Sequence, residues 1–477
     1  MFKFSKYERI LLVVFLLTLP LINPWVRGDG VGYYAFGRAL LIEHHLNFEK
    51  DWLAANQSFR MGRTDAAGRI LPEAYTATGH LDNHFAIGPA ILWSPFLTTV
   101  HLGVLAYDSL GGHVAADGYS RPYIIAMAMA TGLYGFLALW ISFRLARKYI
   151  AERWAFLATL GIWFASSLPV YMYFNPSWSH AHSAFAVALF FWYWDGTSSD
   201  RTWAQWIVLG AMAGLMTDVY YPNAMLLLLP LLESLAVYRK AFQTAETGAI
   251  GVLFVKNLVF MALALVSFLP TLFTKKIIFG GYFNFGYTEG WYWNSPAFFK
   301  VCFSAEHGLF SWTPILVLAF IGLFFLCRTD RMLGCCSIIV FVAYVYAIGC
   351  YQNWAGISSF GNRFFVSLTV LFVLGLAAFF NWLAQTGQKG SAAFLARGAT
   401  AVLITWNFGL IFQWGTHLIP ARGPISWREA SYNQVAVVPA RVGRTLKSYL
   451  TGRGALMRNI EEEDVEQLKT GWPAGTE

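Results

Sequence analysis

Just past the first apolar run stands Arg27-Gly28-Asp29-Gly30-Val31-Gly32-Tyr33-Tyr34, a carboxylate between two glycines. A single carboxylate can take a proton from a hydroxyl, and backbone at glycine can lie close to a ligand. The same Asp29 could equally cap a helix in a surface turn. His80-Leu81-Asp82-Asn83-His84 leads polar groups, His84 among them, into an apolar helix. Ser179-His180-Ala181-His182 offers two imidazoles at i, i+2. They do not share a helix face, so contact of one His with a ligand fits better than zinc ligation. Ser304-Ala305-Glu306-His307-Gly308 and Ser358-Ser359-Phe360-Gly361-Asn362-Arg363 each open a further apolar run. Arg363 is the only cation in its loop, and its planar fork beside helix N-termini suits a phosphate, with headgroup snorkelling as the alternative. The aromatics between Phe279 and Phe299, from Tyr282 to Trp293, could stack on a sugar or form an interfacial belt.

These groups must be positioned by membrane helices. Of 477 residues, 57% are hydrophobic and only 13% charged, about half the charge share of soluble domains. That excludes an ordinary soluble fold and aqueous disorder. The net charge of +8 is spread singly between apolar runs, without a basic patch of interleaved aromatics, so no nucleic-acid partner is expected. Five cysteines, at 302, 327, 335, 336 and 350, have no metal-finger spacing and read as free thiols.

About 20 apolar residues cross a ~30 Å core. The apolar runs predict an all-α polytopic protein with about eleven crossings (range 10–13), beginning with Ile10–Ile22 and then Pro122–Phe143. Further crossings are predicted over 154–174, 182–194, 206–219, 224–237, 252–273, 310–326, 333–350, 364–383 and 399–414. Phe85–Tyr107 is expected to pack at the outer interface instead, since no basic cluster follows it before Arg121. The assigned inner segments hold eleven Lys and Arg against one Arg in the short outer loops. This places the N-terminus inside and the tail outside. A transmembrane domain over 1–420 then carries large outer loops at 28–121 and 274–309, followed by a polar outer tail over 421–477. Asp29, His84, His180, His182, Glu306, His307 and Arg363 all fall at outer helix ends, whereas ion-coupled transport favours charges at mid-membrane.

The order of a basic start, one crossing and a large outer loop with an early Asp resembles the GT-C class of integral membrane glycosyltransferases. Its members include protein O-mannosyltransferases and aminoarabinose transferases. The likeness is more specific for bacterial RgtA/B/C/D-like transferases, through Gly28-Asp29-Gly30 with Tyr33-Tyr34, and Glu43-His44-His45-Leu46-Asn47-Phe48. It continues through Asn83-His84-Phe85-Ala86-Ile87-Gly88-Pro89, His307-Gly308-Leu309-Phe310-Ser311-Trp312-Thr313-Pro314 and Ser359-Phe360-Gly361-Asn362-Arg363, in order over residues 8–420. Where several members carry an adjacent acidic pair, this chain has Asp29 flanked by glycines, and the stretch at Glu43 reads Glu-His-His. Both departures leave open a need for Mg²⁺ or Mn²⁺.

The resemblance implies transfer of a sugar from a polyprenyl-phosphate donor to a glycan, lipid or protein acceptor at the outer face of a bacterial inner membrane. Asp29 would be the general base of an inverting displacement, and Arg363, Lys275 or Lys276 would meet the phosphate. Tyr33, Tyr34, Glu43, His84, His180, His182, Glu306 and His307 are the expected substrate contacts. A transporter or flippase of a lipid-linked solute is the alternative from another class, and a non-catalytic envelope scaffold is a third.

Overall fold

A computed structural model describes residues 4–198, 201–244, 247–387 and 389–470. The described residues form an all-α protein, with only isolated β-bridges outside the helices. Helices of ten residues or more are labelled here in chain order. The first are α1 (Lys6–Thr18), α2 (Asp29–Arg38), α3 (Gly88–Ser109), α4 (Arg121–Tyr149) and α5 (Glu152–Ala165). Next come α6 (His180–Thr197), α7 (Trp203–Val219), α8 (Leu228–Thr244), α9 (Thr247–Phe279) and α10 (Ile315–Thr329). The last are α11 (Arg331–Cys350), α12 (Thr369–Thr386), α13 (Lys389–Gly415), α14 (Val438–Thr451) and α15 (Arg453–Thr470). Among the described residues six stretches are long and apolar enough to cross a membrane by length and composition: 88–109, 121–149, 250–279, 331–350, 363–386 and 390–415.

Small residues bring the helices together. A Cβ on Gly322 of α10 would sit 1.8 Å from the Gly375 carbonyl oxygen of α12, and one on Gly214 of α7 would sit 2.2 Å from that of Ala264 in α9. Backbone contact of this kind is how helices associate where lipid removes the hydrophobic drive.

Ion pairs collect at one end of the bundle. Glu8, in the first turn of α1, lies 3.5 Å from Arg144 and 3.3 Å from Arg147 at the end of α4. Lys148 meets Asp195 at 2.9 Å, and Arg201 meets Glu233 at 2.9 Å. The opposite end gathers the chain that follows α1. The Asn23 amide donates to the Tyr173 carbonyl at 2.7 Å, and the Trp178 indole donates to the Arg27 carbonyl at 3.0 Å.

Two apolar runs fold differently from their simplest reading. The run 154–174 is not one helix: α5 ends at Ala165, and a wider-wound turn covers Val170–Phe174. Ser166 turns the chain by bonding the Ile162 carbonyl and the Leu168 amide. The side-chain amide of Asn407 donates to the carbonyls of Phe164 and Ser166, satisfying the freed backbone. The run 85–107 forms α3, which is itself long enough to span. Its course is set by α4: Trp93 donates to Thr131 at 2.9 Å, and farther along His101 meets Tyr123 at 2.7 Å. The pairing is antiparallel, so α3 ends beside the start of α4. That start lies by α2, where the Tyr34 hydroxyl donates to the Gly118 carbonyl at 2.7 Å.

The first long loop has a small core of its own, with Phe36, Phe48, Trp52 and Phe59 packed in sequence. Beneath it Arg38 grips Asp51 through two bonds of 2.6 Å and Glu43 through one of 2.9 Å. The bond to Arg38 holds the Glu43 carboxyl down at about 2.

Candidate active site

Asp29 is the first residue of α2, and the preceding Gly28 has φ +53°, a left-handed conformation that favours glycine. The glycine after it serves packing: a Cβ on Gly30 would lie 1.9 Å from the Ser177 hydroxyl oxygen. The α2 N-terminus is thereby pressed onto the segment before α6, and the carboxylate faces outward from that seam.

Arg363 arrives from the loop between α11 and α12, 334 positions later, and donates from Nη1 to Asp29 Oδ2 at 2.7 Å. Its guanidinium lies 4.4 Å from the centroid of the Trp178 ring. The Asp29 side chain is 33% exposed and that of Arg363 10%. Nε of Arg363 is buried without a partner among the described residues, so the fork retains donors beyond the one given to Asp29.

The pair sits on the wall of a cavity of about 280 Å³ at the end of the bundle opposite the α1–α4 ion pairs. The other walls carry Arg27, Arg63, Arg422, His417, Trp414 and Asp464, with Ile460 and Leu468 from α15. Burial lowers Arg63 and Arg422 below the usual guanidinium range, while the Asp29 charge acts on both in the opposite sense. Arg63 donates to the Phe59 carbonyl at 2.8 Å and packs on that ring. Asp464 is held by Arg27 and, at 3.0 Å, by His417, whose other nitrogen meets Glu463 at 2.7 Å. Burial opposes charge on His417, but the two carboxylates outweigh it and hold the imidazole above its ordinary value. Burial likewise opposes charge on Asp464, yet His417 and Arg27 keep its carboxyl below the usual range.

Asp29 and Arg363 are the residues of the sequence-derived set that line this cavity. Tyr33 is buried behind them on the Phe85 ring. Tyr34 is spent on Gly118, and Glu43 on Arg38 and Lys50. His84 stacks between Phe85 and Tyr287, 3.6 Å from Asp82. His180 is enclosed by Tyr171 and Tyr220, and His182 by Trp93 and Tyr134, so the two rings occupy separate pockets. Glu306 is half-buried, its backbone amide bonded to Ser304. His307, at φ +56°, bonds the Ala355 carbonyl at 2.9 Å, and burial pushes it down to about 4. It thus steadies the loop that carries Arg363.

The lysines lie elsewhere. Lys275 is buried and spends its ammonium on the Asn83 and Phe85 carbonyls at 3.0 and 2.8 Å, while Lys276 bonds the Gly280 carbonyl at 2.7 Å. The aromatic loop also turns away from the cavity, with Trp291 stacked on Trp293 and tilted against Tyr351.

Sequence reasoning missed Arg63, Arg422, Trp178, His417 and Asp464. One signal was available for the arginines: cations in segments assigned to the outer side are the ones that membrane orientation does not explain.

A divalent cation finds no fitting donor set here. Among the described residues no group of three His, Cys, Asp or Glu side chains is arranged to hold a metal ion: both nitrogens of His417 are engaged by Glu463 and Asp464, and the cavity's two aspartates are each engaged by arginine.

No protein-family model matches the chain, and no curated protein does. Solved structures do. The Archaeoglobus fulgidus oligosaccharyltransferase in complex with Zn and sulfate superposes with a TM-score of 0.50 at 16% identity, over 83% of this chain and 52% of that one. The fold is that of the GT-C glycosyltransferases. Also similar are ArnT from Cupriavidus metallidurans bound to undecaprenyl phosphate (TM-score 0.44, 14% identity, 85% of this chain and 70% of that one) and A. fulgidus AglB with an inhibitory peptide and a dolichol-phosphate (0.46, 12%, 91% and 54%). The chain spans about half the length of the archaeal enzyme.

Proposed function

We propose that this GT-C-fold chain is a glycosyltransferase that moves a sugar from a polyprenyl-phosphate donor to an acceptor hydroxyl at the non-cytoplasmic face of a bacterial inner membrane. The observation that carries the reading is the meeting of Asp29 and Arg363 on the wall of a cavity that also holds Arg63 and Arg422. A lipid-anchored donor presents its anomeric carbon only at headgroup depth, which is where a cavity at a bundle end lies.

In the reaction, Asp29 takes the proton of the acceptor hydroxyl as its oxygen attacks C1. The C1–O bond to phosphate breaks with inversion, and its electron pair leaves on the phosphate oxygen. Cationic donors preset around the leaving group stabilise that charge in the transition state. Arg363 is suited to do so through donors it does not spend on Asp29. A glycosidase would need a second carboxyl as acid, and here the other cavity aspartate is tied to Arg27 and His417.

The test is transfer by purified protein in nanodiscs, with a radiolabelled polyprenyl-phosphate sugar and an envelope lipid and glycan extract. A labelled acceptor with a new glycosidic bond, seen by mass spectrometry, is the expected result. Movement of the donor across sealed vesicles with no new bond would instead establish the flippase alternative.

A further inference from the structure

Helix α14 reads Val438-Pro439-Ala440-Arg441-Val442-Gly443-Arg444-Thr445-Leu446-Lys447-Ser448-Tyr449-Leu450-Thr451. At 100° per residue its apolar side chains fall in one stripe and its cations opposite. The stripe is only partly covered. Val438 and Tyr449 are buried against the bundle, while Val442, Leu446 and Leu450 are 39%, 45% and 50% exposed. Arg441, Arg444 and Lys447 are exposed, and among the described residues none is paired with a carboxylate.

The position of α14 says what covers the remainder. The Tyr449 hydroxyl donates to the Leu21 carbonyl at 2.7 Å, and Arg453 donates to the carbonyls of Pro20 and Ile22. These carbonyls follow α1, the expected first crossing, whose stripe of Val13, Leu16 and Leu17 is exposed, as a side turned to lipid would be. Helix α14 therefore crosses the bundle edge where that lipid-facing stripe stops, at headgroup depth. One residue later the chain enters α15, which places Ile460, Asp464 and Leu468 on the cavity.

We propose that α14 docks on an anionic lipid surface, its exposed apolar stripe in the acyl boundary and its three cations on the headgroups, and that this docking holds α15 over the cavity mouth. The sequence pattern is that of helices lying in the interface plane, with basic residues attracted to negative leaflets. The docking goes beyond the transfer reaction and does not depend on it.

The test is hydrogen–deuterium exchange of the full chain in two nanodiscs, one of phosphatidylcholine and one in which a third of the lipid is phosphatidylglycerol. Exchange across 440–451 is expected to slow about tenfold or more in the anionic disc, with 455–468 slowing alongside. The triple variant Arg441→Gln/Arg444→Gln/Lys447→Gln should erase the difference while keeping the α15 contacts. Equal exchange in the two discs, which needs no variant, overturns docking, as does a difference that survives in the triple variant. Slowing confined to α14 overturns the link to α15.

Discussion

Replacing Asp29 with Asn removes the charge but keeps the shape and one acceptor oxygen for Arg363. The pair is a third exposed on the carboxylate side. Arg363 itself is buried, so trading the ion pair for a neutral hydrogen bond should cost about 1–3 kcal/mol of stability, a melting shift of a few degrees. The rate is a different matter. Loss of a positioned base lowers turnover by about 10²- to 10⁴-fold, which is about 3–5 kcal/mol on the barrier. Relieved of the competing Asp29 charge, the Arg363 guanidinium should hold the donor phosphate at least as well as before. Asp29→Asn should thus lower kcat while leaving the donor KM unchanged or reduced. The assay is initial-rate transfer with purified protein over a range of donor concentrations, with thermal unfolding run alongside. Turnover within threefold of the wild type would refute the base assignment. A raised donor KM at normal kcat would refute it too, because Asp29 would then only position the donor.

Arg363→Gln should lower kcat/KM for the donor by about 10- to 150-fold, the worth of a charge-assisted hydrogen bond of ~1.5–3 kcal/mol; donor-saturation kinetics read this directly. Gly30→Ala forces a methyl onto Ser177 and should cost about 1–3 kcal/mol, seen as a lower melting temperature in detergent. Asp51→Asn removes the two-bond carboxylate of buried Arg38 and leaves Glu43 as its charged partner, so it should destabilise the first long loop by about 1–3 kcal/mol, measured as faster proteolysis within 39–80. The α15 latch is pH-dependent on both sides. The raised value of His417 means its contribution is complete below about 6.5 and is lost as pH climbs through the elevated value; the lowered value of Asp464 means its share holds above about 3.9 and is lost as pH falls through the depressed one. Exchange across 455–468, corrected for intrinsic rates, should therefore be slowest between about 4 and 6.5, with the alkaline rise absent in His417→Gln.

Composition and charge determined the membrane class, because that much apolar surface has no other place to go, and the length of the apolar runs made the spans helices. The motifs at Asp29 and Arg363 were likewise legible, since a carboxylate in a glycine-rich turn and a lone cation at a helix mouth stand out against an apolar background. What those residues do to each other was decided only by folding: 334 positions separate them, and no periodicity reports a contact of that range. The same limit accounts for the residues whose surroundings turned out otherwise. Lys275 reads as a free cation at the end of an apolar run, yet packing buries it and two loop carbonyls take its protons. Asp464 lies in a tail that reads only as polar, yet α15 carries it to Arg27 and His417. Charge and hydropathy are local properties that fix where a segment can lie, whereas the partner of a polar group depends on which helices pack together. That choice is made by close backbone contacts at residues such as Gly30, Gly322 and Gly375, whose significance appears only once the opposing surface is in place.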